Sequence, residues 1–181
     1  EAVRAALLHS LLRPEEKLII EAAKRMSLDM DLVDIDKVDM ADIRGFAGYD
    51  LVLNRVMSAD RALYAAHLLE QAGVRNFNGA GLIDLCRDKY LTSLRLKGAG
   101  VPVPRFSLAF SLKQADDFVT AVGGYPVVVK PCIGSWGRLI NRINDRDALE
   151  AVFEHRQQMG SSRMKALYLQ EYMEKPGRDI R

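Results

Sequence analysis

The chain has 181 residues, 49% of them hydrophobic and 28% charged, which is a globular composition and excludes a disordered chain. Its 26 basic and 24 acidic residues leave a net charge of +2 and are mixed along the chain, so a nucleic-acid-binding arm is not indicated. No apolar stretch reaches the roughly 18 residues of a membrane-spanning helix, and Glu1-Ala2-Val3-Arg4 lacks both the basic and the apolar region of a signal peptide.

The first half reads as alternating strands and helices. Val3 to Leu8 is a short apolar run suited to a buried strand. Pro14-Glu15-Glu16 opens a helix, with Pro at its first position and acids facing the helix dipole. Leu18, Ile19, Ala22, Ala23 and Met26 give that helix one apolar face. Leu32 to Ile35 and Leu51 to Asn54 are further strands. Ser58 caps a helix carrying Leu63, Ala66, Leu69 and Ala72, and Gly73 ends it. Val74 to Phe77 is a fourth strand. The order β-α-β-β-α-β predicts an α/β layer with a largely parallel sheet, ending near Cys86.

The second half starts with Asp88 capping a helix through Leu96, stopped by Gly98 and Gly100. Val101-Pro102-Val103-Pro104 is an extended connector, because a residue before Pro is pushed out of the α region. Phe106 to Ala109 is a strand. Ser111-Leu112-Lys113-Gln114 is a capping box for a helix to Val122. After a turn at Gly123 to Pro126, Val127 to Lys130 is a strand. Gly134 to Gly137 is a hairpin tip, and Arg138 to Ile143 is its return strand. Asp145 caps a helix to Met159, and Leu167 to Glu171 is the last strand. This half predicts an α+β module.

Metal and redox motifs are missing. Cys86 and Cys132 form no C-x-x-C, and His9, His67 and His155 have no zinc-binding spacing. Reduced thiols and a cytoplasmic location are expected. Cys132 reads as a small apolar filler and His155 as a surface residue.

Four motifs bear on chemistry. Val127-Val128-Val129-Lys130-Pro131 delivers a lysine at the end of a rigid strand, where it serves either as a solvated surface charge or as an anion contact. Gly134-Ser135-Trp136-Gly137-Arg138 suits either an ordinary hairpin tip or a phosphate loop. It is not a Walker A loop, and Gly79-Ala80-Gly81 does not complete a dinucleotide fingerprint. Lys89 sits in a first helical turn, where a cation is unfavourable unless an anion binds nearby. Leu169-Gln170-Glu171-Tyr172, followed by Gly177 to Arg181, is either a polar strand exit or backbone for a planar heterocycle with a ribose-binding acid.

Taken in order, these motifs resemble the ATP-grasp superfamily, within it the RimK-type ligases, and most closely the LysX group. Pro131 to Leu139 and Gln170 to Arg181 carry most of that resemblance. Asn54-Arg55, Ser58 and the helix after them resemble the group's N-terminal domain.

The resemblance implies an N-terminal Rossmann-like, pre-ATP-grasp α/β domain over residues 1–87. It implies the first α+β ATP-grasp subdomain over 88–171 and a linker over 172–181 into a second subdomain. It implies that Lys89 and Lys130 contact the phosphates of ATP. Gly134, Ser135, Trp136, Gly137 and Arg138 would fold over them. The backbone of Gln170, Glu171 and Tyr172 would read the adenine edge. Asp179 would hold the ribose, and Arg181 would belong to the same nucleotide site.

The implied reaction joins an amine to a carboxylate through an acylphosphate. The acceptor would be the C-terminal glutamate of the LysW carrier protein, and the amine that of alpha-aminoadipate or glutamate, in lysine or arginine biosynthesis. Mg²⁺ is the expected cofactor. Its ligands, the catalytic residues and those selecting the amino acid are expected beyond Arg181, so the chain is expected to be an inactive part of a longer homo-oligomeric enzyme. A RimK-like glutamate ligase for another protein or cofactor, and a non-catalytic nucleotide-binding protein, stay open as alternatives.

Overall fold

The structure is a computed structural model and describes residues 3–159 and 165–177. It divides into two compact units, Glu1–Leu85 and Cys86–Arg181.

In the first unit, β1 (Arg4–His9), β2 (Asp29–Asp34), β3 (Leu51–Arg55) and β4 (Arg75–Phe77) form a parallel sheet of order β2-β1-β3-β4. Helices α1 (Pro14–Arg25) and α2 (Ala59–Gln71) connect these strands, and α3 (Ala80–Arg87) follows β4. A parallel sheet with helical crossovers buries its central strand on both faces. Accordingly Ala5, Ala6, Leu7 and Leu8 of β1 are wholly buried. Ala6, Leu8 and Val52 pack with Ala65 and Leu69 of α2 and with Phe46.

Three features of this unit depart from the sequence expectation. Strand β2 begins at Asp29, and Ile35 opens a short 3₁₀ turn, Ile35–Lys37, capped by the Asp34 carboxylate. The strand's Asp-Met-Asp start has no apolar signal because β2 is a sheet edge held by its main-chain pairing to β1. A second 3₁₀ turn, Ile43–Phe46, is capped by Asp42. Helix α3, Ala80–Arg87, lies where the sequence reading assigns no element. Its first amide is satisfied from a distance: Ala80 N–H donates to Glu70 Oε1 of α2 at 2.7 Å.

In the second unit, α4 (Lys89–Gly98) precedes β5 (Phe106–Ala109), α5 (Leu112–Val122), β6 (Val127–Pro131), β7 (Asn141–Ile143), α6 (Arg146–Met159) and β8 (Leu167–Glu171). The sheet is antiparallel, of order β5-β8-β6-β7. Val127, Val129, Ile143, Leu167 and Leu169 point to one face and pack with Ala115, Phe118 and Val119 of α5 and Leu149 of α6. The period of two sends Val128, Lys130, Tyr168 and Gln170 to the other face.

Helix α4 covers the β5 side of that second face. Ser93 Oγ and Tyr168 OH lie 2.8 Å apart, and the Phe106 ring packs between Tyr90 and Tyr168. The Ser111 hydroxyl accepts from Gln114 N–H, while Gln114 Oε1 accepts from Phe110 N–H, one residue before the cap. The hairpin return is shorter than expected. It pairs only over Asn141–Ile143, because Trp136 and Leu139 take left-handed φ values of 62° and 59° that no strand accommodates.

Candidate functional site

The open face of the second sheet gathers the expected cations. Lys130 leaves β6 on this face because its neighbours Val129 and Pro131 are committed to the core. Its ammonium donates to Gln170 Oε1 on β8 at 2.5 Å. Burial pushes the Lys130 pKa down, and the like charges of Lys89 and then Lys175 push it further the same way.

Lys89 reaches the same place from α4. Asp88 caps that helix by accepting from the amides of Tyr90 and Leu91 at 2.9 and 3.0 Å. Lys89 N–H donates to the Cys132 carbonyl at 2.8 Å, and Asp88 bridges to Ile133. These bonds fasten the helix start to the exit of β6. The Lys89 side chain then donates to the Gly134 carbonyl at 2.8 Å. Its pKa is lowered by burial, partly offset by Cys132 and Asp88.

Two half-buried ammonium groups, both disfavoured by burial and with Lys89 further disfavouring the charge on Lys130, form an arrangement an anion stabilises. The charge of Lys175, which sequence reading did not single out, acts on Lys130 as well. Lys175 lies in an irregular polar stretch after β8, where no periodicity marks it.

The loop Gly134 to Arg138 lies at the end of β6, next to Lys89. Gly134 is tight: a Cβ there would come within 3.2 Å of Pro131 Cγ. Gly137 has φ +68° and suits only glycine without strain. Ser135, Trp136 and Arg138 are exposed, and Trp136 is 79% accessible. The loop's far end is held by Arg156 of α6, whose Nη2 donates to the Leu139 carbonyl at 2.9 Å. Arg156 is only 5% exposed, and its Nη1 has no hydrogen-bond partner among the described residues. Only the fold brings it to the loop.

The β8 exit divides its roles between backbone and side chain. The Glu171 carboxylate is taken by Arg105, accepting from its main-chain N–H at 2.7 Å and its Nε at 2.6 Å. These bonds hold its pKa below the usual carboxylate range. Arg105 also donates to the carbonyls of Ala121 and Val122, closing the C-terminal end of α5. The Glu171 side chain is thus structural and points away from Lys130. The Tyr172 ring sits 4.4 Å beneath the Arg142 guanidinium. Asp179 and Arg181 lie outside the described residues.

The donors present suit a polyphosphate. Lys89, Lys130 and Lys175 supply charge, and a glycine loop supplies close backbone approach. They do not suit a divalent cation. Among the described residues no group of three His, Cys, Asp or Glu side chains could hold a metal ion. Nor, among those residues, is any helix long and apolar enough to cross a membrane.

Comparison with known proteins agrees with this geometry. The LysX preATP-grasp domain profile matches residues 5–85, and the RimK-like ATP-grasp domain profile matches residues 86–181. The glutamate–LysW ligase ArgX of Sulfurisphaera tokodaii is 37% identical over 179 residues, covering 99% of this chain and 63% of that protein. The alpha-aminoadipate–LysW ligase LysX of Saccharolobus solfataricus is 32% identical over 173 residues, covering 93% of this chain and 62% of that protein. A crystal structure of a RimK domain ATP-grasp protein from Sphaerobacter thermophilus superposes with a TM-score of 0.76 at 30% identity, over 96% of this chain and 65% of that one. The chain thus spans less than two thirds of the length of these relatives.

Proposed function

Because the chain belongs to the RimK-like ATP-grasp family, we propose that the protein is an ATP-dependent carboxylate–amine ligase. The observation that carries this reading is the convergence of Lys89 and Lys130 beside a glycine loop on an open sheet face. The domain assignment follows: residues 1–87 are the pre-ATP-grasp domain, 88–171 the first ATP-grasp subdomain, and 172–181 the linker.

The reaction transfers the γ-phosphoryl group of ATP to a carboxylate oxygen, giving ADP and an acylphosphate. The amine attacks the acyl carbon, phosphate leaves, and the nitrogen loses a proton. Positioning and charge stabilisation dominate such catalysis. Lys89 and Lys130 neutralise phosphate oxygens. Gln170 aims Lys130, and Lys89 fixes the near end of the loop through Gly134. The loop folds over the phosphates, and Ser135, Trp136, Gly137 and Arg138 line it. The backbone of Gln170 to Tyr172 reads the adenine edge, while Asp179 and Arg181 serve the ribose side. Mg²⁺ supplies further neutralisation of the nucleotide when bound, and none of the described residues is assigned to it.

The carboxylate is that of the C-terminal glutamate of a LysW-type carrier protein. The amine is that of glutamate or alpha-aminoadipate, with glutamate favoured by the higher identity to ArgX than to LysX. The reaction belongs to arginine or lysine biosynthesis and takes place in the cytoplasm, in a homo-oligomer.

The test is ligation. The protein is incubated with ATP, Mg²⁺, carrier protein and each amino acid in turn, and ADP release and carrier mass are measured. A carrier heavier by one residue supports the reading. ADP release with no mass gain from either amino acid overturns the carrier assignment, and absence of ATP binding overturns the ligase itself.

A further inference from the structure

The first unit holds a polar cluster that the nucleotide site does not use. His9 and Arg55 are register partners at the carboxyl ends of β1 and β3. The strand order β2-β1-β3-β4 reverses direction between these two strands. Open α/β sheets take their ligands outside the carboxyl ends of strands at such a reversal.

Arg13 and Arg55 are both anchored there by Glu16, which is 0% exposed. Glu16 accepts from Arg13 N–H, Nε and Nη2 at 3.1, 3.0 and 2.8 Å, and from Arg55 Nε and Nη2 at 3.0 and 2.9 Å. A guanidinium carries five N–H donors, so each arginine keeps donors to spare, and the trio bears one net positive charge. Both arginine side chains reach water, at 31% and 39% exposure. Ser10 Oγ accepts from Met57 N–H at 3.2 Å, leaving its own proton for another acceptor. His9 Nδ1 is buried and has no hydrogen-bond partner among the described residues.

A purely structural Arg–Glu–Arg clamp would tie α1 to β3. It would not account for the unpartnered His9 nitrogen, the spare donors, or their meeting at the strand reversal. We propose that the carboxyl ends of β1 and β3 form a carboxylate-binding site, with Arg13, Arg55 and Ser10 as donors and His9 beside them.

The local sequence favours a carboxylate over a phosphate. The arginine fork matches a planar two-oxygen acceptor. Helix α1 opens with Pro14, which has no N–H, and with Glu15 and Glu16, which repel a dianion. The connection Ser10-Leu11-Leu12-Arg13 has no glycine to let backbone wrap a phosphate. The site stands without the nucleotide reading. That its carboxylate is a ligase substrate, either a free amino acid or the end of a peptide chain, rests on that reading.

Side-chain ¹⁵N NMR of the arginine Nε–H groups tests it, with glutarate and N-acetyl-glycyl-glutamate as probes. The expected result is a saturable shift at Arg13 and Arg55, weakened about tenfold in Arg55→Gln and severalfold in Ser10→Ala. The amide spectrum of each variant reports folding, and Ser10→Ala alone decides should Arg55→Gln unfold. Tighter binding of the peptide or of glutarate supports the site and tells which source it takes. No saturable shift, an unchanged shift in the folded variants, or tighter binding of inorganic phosphate overturns the proposal. ATP binding measured on the same samples separates the two readings: its loss with the carboxylate shift intact removes the ligase alone.

Discussion

Lys130 Nζ donates to Gln170 Oε1 across adjacent antiparallel strands that turn both side chains to the sheet face opposite the α5–α6 core. The contact holds a lysine whose charged form is disfavoured by burial and by Lys89 and Lys175. Its folded pKa lies below its unfolded value, so protonating it opposes folding, and that cost fades as pH rises past the folded pKa. Lys130→Met is therefore expected to leave the thermal midpoint at pH 7 unchanged or higher. ATP affinity of the full protein should fall by roughly tenfold or more, and acylphosphate formation should stop. Titration calorimetry beside a melting curve checks both; wild-type affinity would remove Lys130 from the site.

Glu171→Gln separates side chain from backbone at the β8 exit. Arg105 takes both carboxylate oxygens, which depresses the Glu171 pKa. The stabilisation is present above the unfolded carboxylate pKa and is lost as pH falls through the folded one. The variant should lose about 1 kcal/mol at pH 7, discounted because Arg105 is largely exposed. Nucleotide affinity should stay within about twofold if, as proposed, it is the backbone there that reads adenine. A large affinity loss without loss of stability would place the carboxylate itself on the nucleotide.

Glu16 gives a sharper pH signature. Its pKa falls from 4.5 to about 2, first through the Arg13 side chain, against the opposing effect of burial, and then through Arg55. Its stabilisation, up to about 3 kcal/mol, is complete above pH 4.5 and vanishes as pH falls toward 2. Urea midpoints of wild type and Glu16→Gln should therefore differ most at pH 7 and converge in acid. A gap that stays constant between pH 7 and pH 3 would show that the pair with Arg13 and Arg55 contributes nothing.

What was legible in the sequence was local. The alternation around Lys130, the Asp88 and Ser58 caps and the apolar β1 run each declare their element within a few residues. What was not legible is set by distant partners. The amide starting α3 is satisfied by Glu70, ten residues upstream, and polar β2 is held by its pairing to β1. Lys175 and Arg156 become site residues only once β8 and α6 pack beside β6 and the loop. Glu171 matched the nucleotide motif, yet its side chain belongs to Arg105, because the register with Val127 turns it to the α5 face.

Trp136 is the chain's single tryptophan, and it is 79% exposed with φ 62°. Fluorescence of this chain therefore reports the glycine loop alone. Emission should be red and readily quenched by iodide without nucleotide, then blue-shifted and protected as the loop folds over bound ATP. Unaltered emission at saturating ATP would mean that the loop does not close.

Arg156 offers the last test, because it is a buried cation held by one carbonyl. Its Nη2 donates to Leu139, its Nη1 has no partner among the described residues, and burial lowers its pKa. Removing such a charge in favour of an apolar side chain of similar reach is often neutral or stabilising. Arg156→Met should therefore keep or raise the urea midpoint, while the loop end at Leu139 loses its tether. Hydrogen exchange at residues 136–140 should quicken, with the β6 and β8 amides unchanged. Arg156→Lys keeps a charge that is more strongly hydrated and costlier to bury, and it should be the less stable of the two. A large loss of stability in Arg156→Met would mean that the guanidinium, rather than the volume it fills, holds α6 in place.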